Sequence, residues 1–274
     1  MPSHDAAAVP ARRAAVADTT IQTPTGSPTT STSLAPLDEQ RRPAGHTGGI
    51  SNATCKVVMA LTGVIFGLFV LVHMVGNLKI YTGPEHFNSY AHWLRAAFVP
   101  VLPHEGLLWI LRAFLLACLA GHLWCGWLVR TRGRAARGST RRKGMAASSW
   151  MASSMPLTGL ILLGFLVFHL LDLTTGTAPV AADAFRGPEL EASFAYSNVV
   201  ASFSRWPVSL VYGLTMLALC AHLAHGLVSV LLDLGAAPGR AAVKKASAIA
   251  LAIGLVVAIG NLTIPIAVLT GVVK

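Results

Sequence analysis

The sequence predicts an all-α membrane protein of five transmembrane helices, with four of them forming a histidine-bearing bundle and the N-terminus in the cytoplasm. Three observations lead there. The chain is 54% hydrophobic and only 12% charged, about half the charge of an ordinary soluble domain. Five apolar stretches each approach the length that crosses a bilayer. Histidine is the main ionisable residue inside those stretches, and the histidines fall at two depths.

Residues 1–50 are read as a disordered tail. They are rich in Ala, Pro, Thr and Ser around TPTGSPTTSTS, cannot bury enough apolar surface to fold, and contain no apolar stretch typical of a signal peptide. Residues 51–274 are expected to form the five-helix domain. Its spans are 57–80, 107–129, 155–173, 206–232 and 246–270. Pro156 is read at the start of the third span, where a helix tolerates it, and Pro265 as a kink or fraying point near the end of the fifth. No alternation of period two appears, which argues against a membrane β-barrel. Segment 86–98, HFNSYAHWLRAAF, reads as a short amphipathic helix at the outer interface, with Tyr90 and Trp93 suited to that level.

The net charge of +10 is explained by topology rather than by nucleic acid. The 130–143 connection, RTRGRAARGSTRRK, holds seven basic residues, the stretch before the first span adds Arg41, Arg42 and Lys56, and the 233–245 connection adds Arg240, Lys244 and Lys245. The 81–106 loop has only Arg95 and the 174–205 loop only Arg186 and Arg205. Basic loops stay on the cytoplasmic side, so the C-terminus is expected outside. The four cysteines, Cys55, Cys118, Cys125 and Cys220, form no CxxC or zinc spacing. They read as small apolar residues on helices.

An ionisable side chain within a membrane span is costly and marks a functional site by default. The set comprises His73, His122, His169, His222 and His225. Counting from the cytoplasmic ends at about 1.5 Å per residue puts His73 roughly 24 Å and His169 roughly 21 Å up. His122 lies roughly 12 Å, His222 roughly 15 Å and His225 roughly 10 Å up. One level therefore holds His73 and His169, the other His122 with His222 or His225. Two imidazoles at one depth can clamp a haem iron from both faces, and such an iron carries electrons without an open position. Thr62, Phe66, Phe69, Gly76 and Asn77 share the His73 face. Histidines that only hydrogen-bond between helices, or that relay protons in a transporter, are the competing readings. A transporter would more often show internal repeats and helices broken by Gly or Pro at mid-membrane, and neither is evident.

The stretches HMVGNLKIYTGPEHFNSYAHWLR (73–95), LVFHLLDLT (166–174) and CAHLAHGLVS (220–229) resemble the cytochrome b subunit of succinate dehydrogenase, in its single-polypeptide, five-helix, diheme form from Gram-positive bacteria. The resemblance spans about residues 52–270. It implies a membrane anchor in the bacterial cytoplasmic membrane that passes electrons from an iron–sulfur subunit through two b-type haems to menaquinone or another quinone. It assigns His73 and His169 to the outer haem and His122 and His222 to the inner one, leaving His225 as a neighbour. It also implies flavoprotein and iron–sulfur subunits as partners on the cytoplasmic face, within a complex that could form a higher oligomer. A haem-free anchor, or the anchor of a quinol-dependent fumarate reductase, is the alternative. Quinone contacts are assigned to Tyr81, His92 and Arg95 on the outer side and to Lys56 and Ser153 on the inner side. Relatives carry arginines before the third span, where this chain has Ser153 and Pro156 in MASSMPLTG (151–159).

Overall fold

The computed structural model describes residues 49–137, 147–236 and 239–274. The tail expected over 1–50 therefore lies almost wholly outside the described residues. Residues Ile50–Lys274 form one compact unit, helical throughout, and no strand occurs among the described residues.

The elements in order are α1 (Asn52–Asn77), α2 (Pro84–Ala96), α3 (Gly106–Arg137), α4 (Ala147–His169), α5 (Ala195–Phe203), α6 (Trp206–Asp233) and α7 (Arg240–Leu269). A 3-10 turn, Leu78–Thr82, continues α1, and a π-helical turn, Leu170–Thr175, continues α4. Five of these segments are long and apolar enough to span a bilayer: Asn52–Thr82, Gly106–Ala136, Ser153–Thr175, Trp206–Asp233 and Arg240–Leu269. Each matches an expected span. Helix α2 is the short amphipathic helix expected over 86–98, and it buries Phe87.

The polarity of the packing is that of a membrane protein. Val72, Leu116, Leu160, Leu217 and Ile249 point outward, whereas Thr62, Thr158, Ser209, Thr215, Cys55, Cys118 and Cys125 are buried. Small and hydroxyl-bearing residues let membrane helices approach and bond to one another, and lipid takes the aliphatic side chains. Cys55 and Cys125 meet as free thiols where α1 packs on α3.

With α1 drawn running upward, α3 and α6 run down while α4 and α7 run up. At the lower end, Arg132 of α3 donates to Ile50 O at 2.7 Å and Asn52 Oδ1 at 2.9 Å, and Lys56 of α1 pairs with Asp233 of α6 at 2.8 Å. Helix α1 packs on α3 and α6, α4 on α6, and α6 along most of α7. That last contact is tight because Gly254 has no side chain; a β-carbon there would lie 3.0 Å from Cys220 O. The upper end is closed by a core of Ile80, Phe87, Phe203, Tyr212, Ile264 and Val268.

Two boundaries differ from expectation. Helix α3 continues two turns past its apolar segment, because Arg and Ala favour helix and long basic side chains reach the polar layer from there. Helix α4 begins at Ala147, so Pro156 is its tenth residue and not its start. Helix α7 carries Pro265 four residues before its end at Leu269, close to the expected end of the fifth span.

Candidate functional site

The four histidines at two depths are brought together in pairs. His73 at the top of α1 faces His169 at the end of α4, with ring centroids 5.9 Å apart and planes at 85°. Lower down, His222 lies within Coulombic reach of both His122 and His225.

What holds each ring is more informative than the pairing. Nδ1 of His122 lies 2.9 Å from Thr62 Oγ1, and Nδ1 of His222 lies 3.1 Å from Thr158 Oγ1. Thr62 donates its own proton to Val58 O at 2.6 Å, and Thr158 donates to Met155 O at 3.0 Å. Each hydroxyl oxygen is thus left to accept the imidazole N–H. Nδ1 of His169 lies 3.2 Å from Tyr212 Oη, and Tyr212 donates to the Asp172 carboxylate at 3.0 Å. The same logic protonates Nδ1 of His169. Three of the four rings therefore share one tautomer, with Nε2 carrying a free lone pair. An orienting partner on the second ring nitrogen is the usual arrangement around a metal-binding imidazole.

This frame is built twice from one repeated segment, contrary to the expectation that the chain has no internal repeat. Residues 61–73, LTGVIFGLFVLVH, align with 157–169, LTGLILLGFLVFH, sharing Leu, Thr, Gly, Ile, Phe and His at equivalent positions. The shared residues act alike in both copies. Each Thr holds the lower histidine of the next spanning helix. Gly63 and Gly159 place their backbones beside those rings, with β-carbon positions 3.8 Å from His122 Cε1 and 3.5 Å from His222 Cε1. Phe69 stacks on His73 (5.5 Å, 16°), and Phe165 stacks on His169 (5.8 Å, 24°). The descending helices repeat too, as His122-Leu123 with Gly126 and His222-Leu223 with Gly126's counterpart Gly226. Thr62 does share the His73 face, but it lies eleven residues below, about 16 Å, so it serves the other level.

Sequence reasoning missed a polar cluster above His169. Asp172 is fully buried in the π-helical turn, where it accepts from Ser202 Oγ at 2.5 Å and Arg205 at 2.6 Å in addition to Tyr212. Arg205 also donates to Val180 O at 2.8 Å. Asp172 sits at the end of an apolar stretch and Arg205 just before the next, so neither stood out as an intramembrane charge.

The remaining expected contacts are distributed over both ends of the bundle. On the upper face Tyr81 is exposed, and Arg95 is engaged by Glu105 at 3.1 Å and Ala91 O at 2.9 Å. His92 stands 6.4 Å from His104, ring centre to ring centre; His92 Nδ1 and His104 Nε2 are both buried with no hydrogen-bond partner. On the lower side Lys56 is held by Asp233, Ser153 lies at the foot of the third span, and His225 is half-buried one turn below His222.

Fold and site together define a multi-pass membrane protein whose spanning helices present paired imidazoles at two levels. Residues 130–260 match the family model described as succinate dehydrogenase/fumarate reductase transmembrane subunit. The chain is thus similar to the membrane subunits of these oxidoreductase complexes, and the match supports such a role beside catalytic subunits. The matched segment contains His169, His222, Asp172 and Tyr212; the internal repeat supplies the equivalent frame for His73 and His122 outside it. No curated protein and no solved structure matches the chain.

Proposed function

We propose that this chain is the cytochrome b membrane anchor of a succinate:quinone oxidoreductase, carrying two b-type haems between an iron–sulfur subunit and a quinone. The observation that carries the reading is the common frame of His122, His222 and His169, each with Nδ1 within hydrogen-bond distance of a side-chain hydroxyl, which leaves Nε2 for a metal. Spacing supports it as well. Two metal–imidazole bonds of about 2 Å, with about 1.1 Å from each nitrogen to its ring centre, put the centroids of a clamping pair about 6.2 Å apart. The upper pair stands at 5.9 Å.

On this reading His73 and His169 hold one iron, and His122 and His222 the other. When bound, each haem supplies a one-electron couple with no open iron position. Thr62, Thr158 and Tyr212 fix ring orientation, while Phe69 and Phe165 hold two rings from the side. The aliphatic belt excludes water and lateral ligands from both levels.

The lower face carries Lys56 and the basic end of α3, with Arg240, Lys244 and Lys245 at the start of α7. The bias of basic residues toward that end supports a cytoplasmic orientation for it, and on this reading the flavoprotein and iron–sulfur subunits dock there, at the inner face of a bacterial membrane. Quinone, with menaquinone as the first candidate, meets the upper site near Tyr81, His92 and Arg95. Of these, His92 brings a buried nitrogen that has no protein partner. The same arrangement serves a fumarate reductase run from quinol.

The test is purification in mild detergent, a dithionite-reduced optical spectrum, a haem count and a succinate–quinone assay. Two haems per chain are expected, with His73→Ala and His122→Ala each removing one. Absence of b-type bands in the complex would sink the reading.

A further inference from the structure

The two copies of the repeat diverge just above the upper histidines. In register, the second copy carries Asp172 where the first carries Gly76, and α6 carries Tyr212 where α3 carries Arg112. Arg112 turns away, stacking over Trp109 at 4.8 Å and lying 3.6 Å from Glu105. Asp172 and Tyr212 turn toward the site. A continuous run of hydrogen bonds follows from His169 Nδ1 to Tyr212 Oη (3.2 Å), to Asp172 Oδ2 (3.0 Å), with Arg205 on the other carboxylate oxygen (2.6 Å). His122 and His222 instead end on Thr hydroxyls whose protons go to neutral backbone carbonyls.

We infer that Asp172 and Tyr212 are positioning residues that set the reduction potential of the upper iron site through Nδ1 of His169. The inference rests on the dihaem reading above. A carboxylate behind a hydroxyl draws the Nδ1 proton outward and leaves more electron density on Nε2, the nitrogen free for the metal. A more electron-rich ligand stabilises the oxidised, more positive iron, so an intact run holds the potential down. Packing alone does not require it. Tyr212 already lies edge-on to Phe165 at 5.0 Å and Phe203 at 4.7 Å, and a phenyl ring keeps those contacts. A fully buried carboxylate at a membrane span is costly, yet this one is aimed through a single hydroxyl at a histidine.

The experiment is a redox titration of the detergent-purified complex, comparing wild type with Tyr212→Phe and Asp172→Asn. The upper signal is identified as the one that His73→Ala removes. Tyr212→Phe is expected to raise the ratio of reduced to oxidised upper site about tenfold at the wild-type midpoint, the low end for losing such a partner. That equals about +59 mV for one electron, with the lower site unmoved. Asp172→Asn keeps the tyrosine hydroxyl on Nδ1 and is expected to shift the same signal in the same direction. Two bound haems with neither midpoint moved would overturn the inference and leave the dihaem reading intact. A complex with no haem would overturn both. If Tyr212→Phe fails to retain the upper haem, the Asp172→Asn midpoint alone decides.

Discussion

Thr158 Oγ1 stands 3.1 Å from Nδ1 of His222, and ninety-six residues earlier Thr62 stands in the same relation to His122 at 2.9 Å. Replacing Thr158 by Val keeps the shape and removes the hydroxyl that faces that imidazole nitrogen. An unsatisfied buried donor costs about 1–3 kcal/mol. Thr158→Val is therefore expected to lower the melting temperature of the purified protein and weaken retention of the lower haem, while Thr158→Ser restores both. Equal loss in Ser and Val variants would show that the methyl, not the hydroxyl, matters.

The five spans and the two histidine levels were legible in the sequence because both depend on regular rise and on apolar length. The frame around the histidines was not. Its repeat is spaced by ninety-six residues in the ascending helices and by one hundred in the descending ones, and its shared letters sit among apolar residues that any span would carry. Thr62 was readable as a residue of the His73 face, but a helix face says nothing about which level of a neighbour it meets. Asp172 and Arg205 sit at the ends of apolar segments, where a charge is ordinarily in water; only the π-helical turn and α5 enclose them. The start of α4 lies eight residues before its apolar span, which begins at 155, because a helix can extend beyond the residues that lipid requires to be apolar.

Gly159 tests the close approach directly. Its β-carbon position is 3.5 Å from His222 Cε1, so an added methyl touches the ring and a branched side chain displaces it. Overpacking of this kind costs about 1–3 kcal/mol. Gly159→Val is expected to abolish the lower haem signal and spare the upper one. Gly164→Ala, one turn above with open space around it, is the control and is expected to change neither. Loss of both signals in Gly159→Val would mean that the helix, not the ring, had moved.

Gly76 fixes α2 over the upper end of α1. A β-carbon there would lie 2.8 Å from Tyr90 Oη and 3.1 Å from its Cε1, and Tyr90 in turn covers Lys79 at 5.1 Å. Gly76→Ala is expected to lift α2 and speed proteolysis of the 83–105 region. Tyr90→Phe in that background removes the nearer clash and is expected to recover part of the protection. Unchanged cleavage in Gly76→Ala would show that Tyr90 swings aside without cost.

Lys56 and Asp233 form an ion pair whose lysine is half exposed, and such pairs contribute about 0–1 kcal/mol. Lys56→Met is therefore expected to leave thermal stability nearly unchanged. If Lys56 also meets quinone, the same variant raises the quinone KM several-fold while Asp233→Asn leaves it alone. Equal KM values for wild type and Lys56→Met would remove Lys56 from the quinone site.

Arg205 and Asp172 are coupled in a way that single substitutions distort. The Asp172 side chain is 0% exposed and the Arg205 side chain 30%. Removing the arginine leaves a buried carboxylate with only Ser202 and Tyr212 to hold its charge, and breaking a buried pair from one side costs about 3–5 kcal/mol. Partial exposure of Arg205 puts Arg205→Met at the lower end, about 3 kcal/mol. Asp172→Asn added to Arg205→Met removes the stranded charge, so the double variant is expected to melt higher than Arg205→Met alone. Additive losses in this cycle would mean that the two residues stabilise the upper end independently, with Arg205 acting through Val180 O and not through the carboxylate.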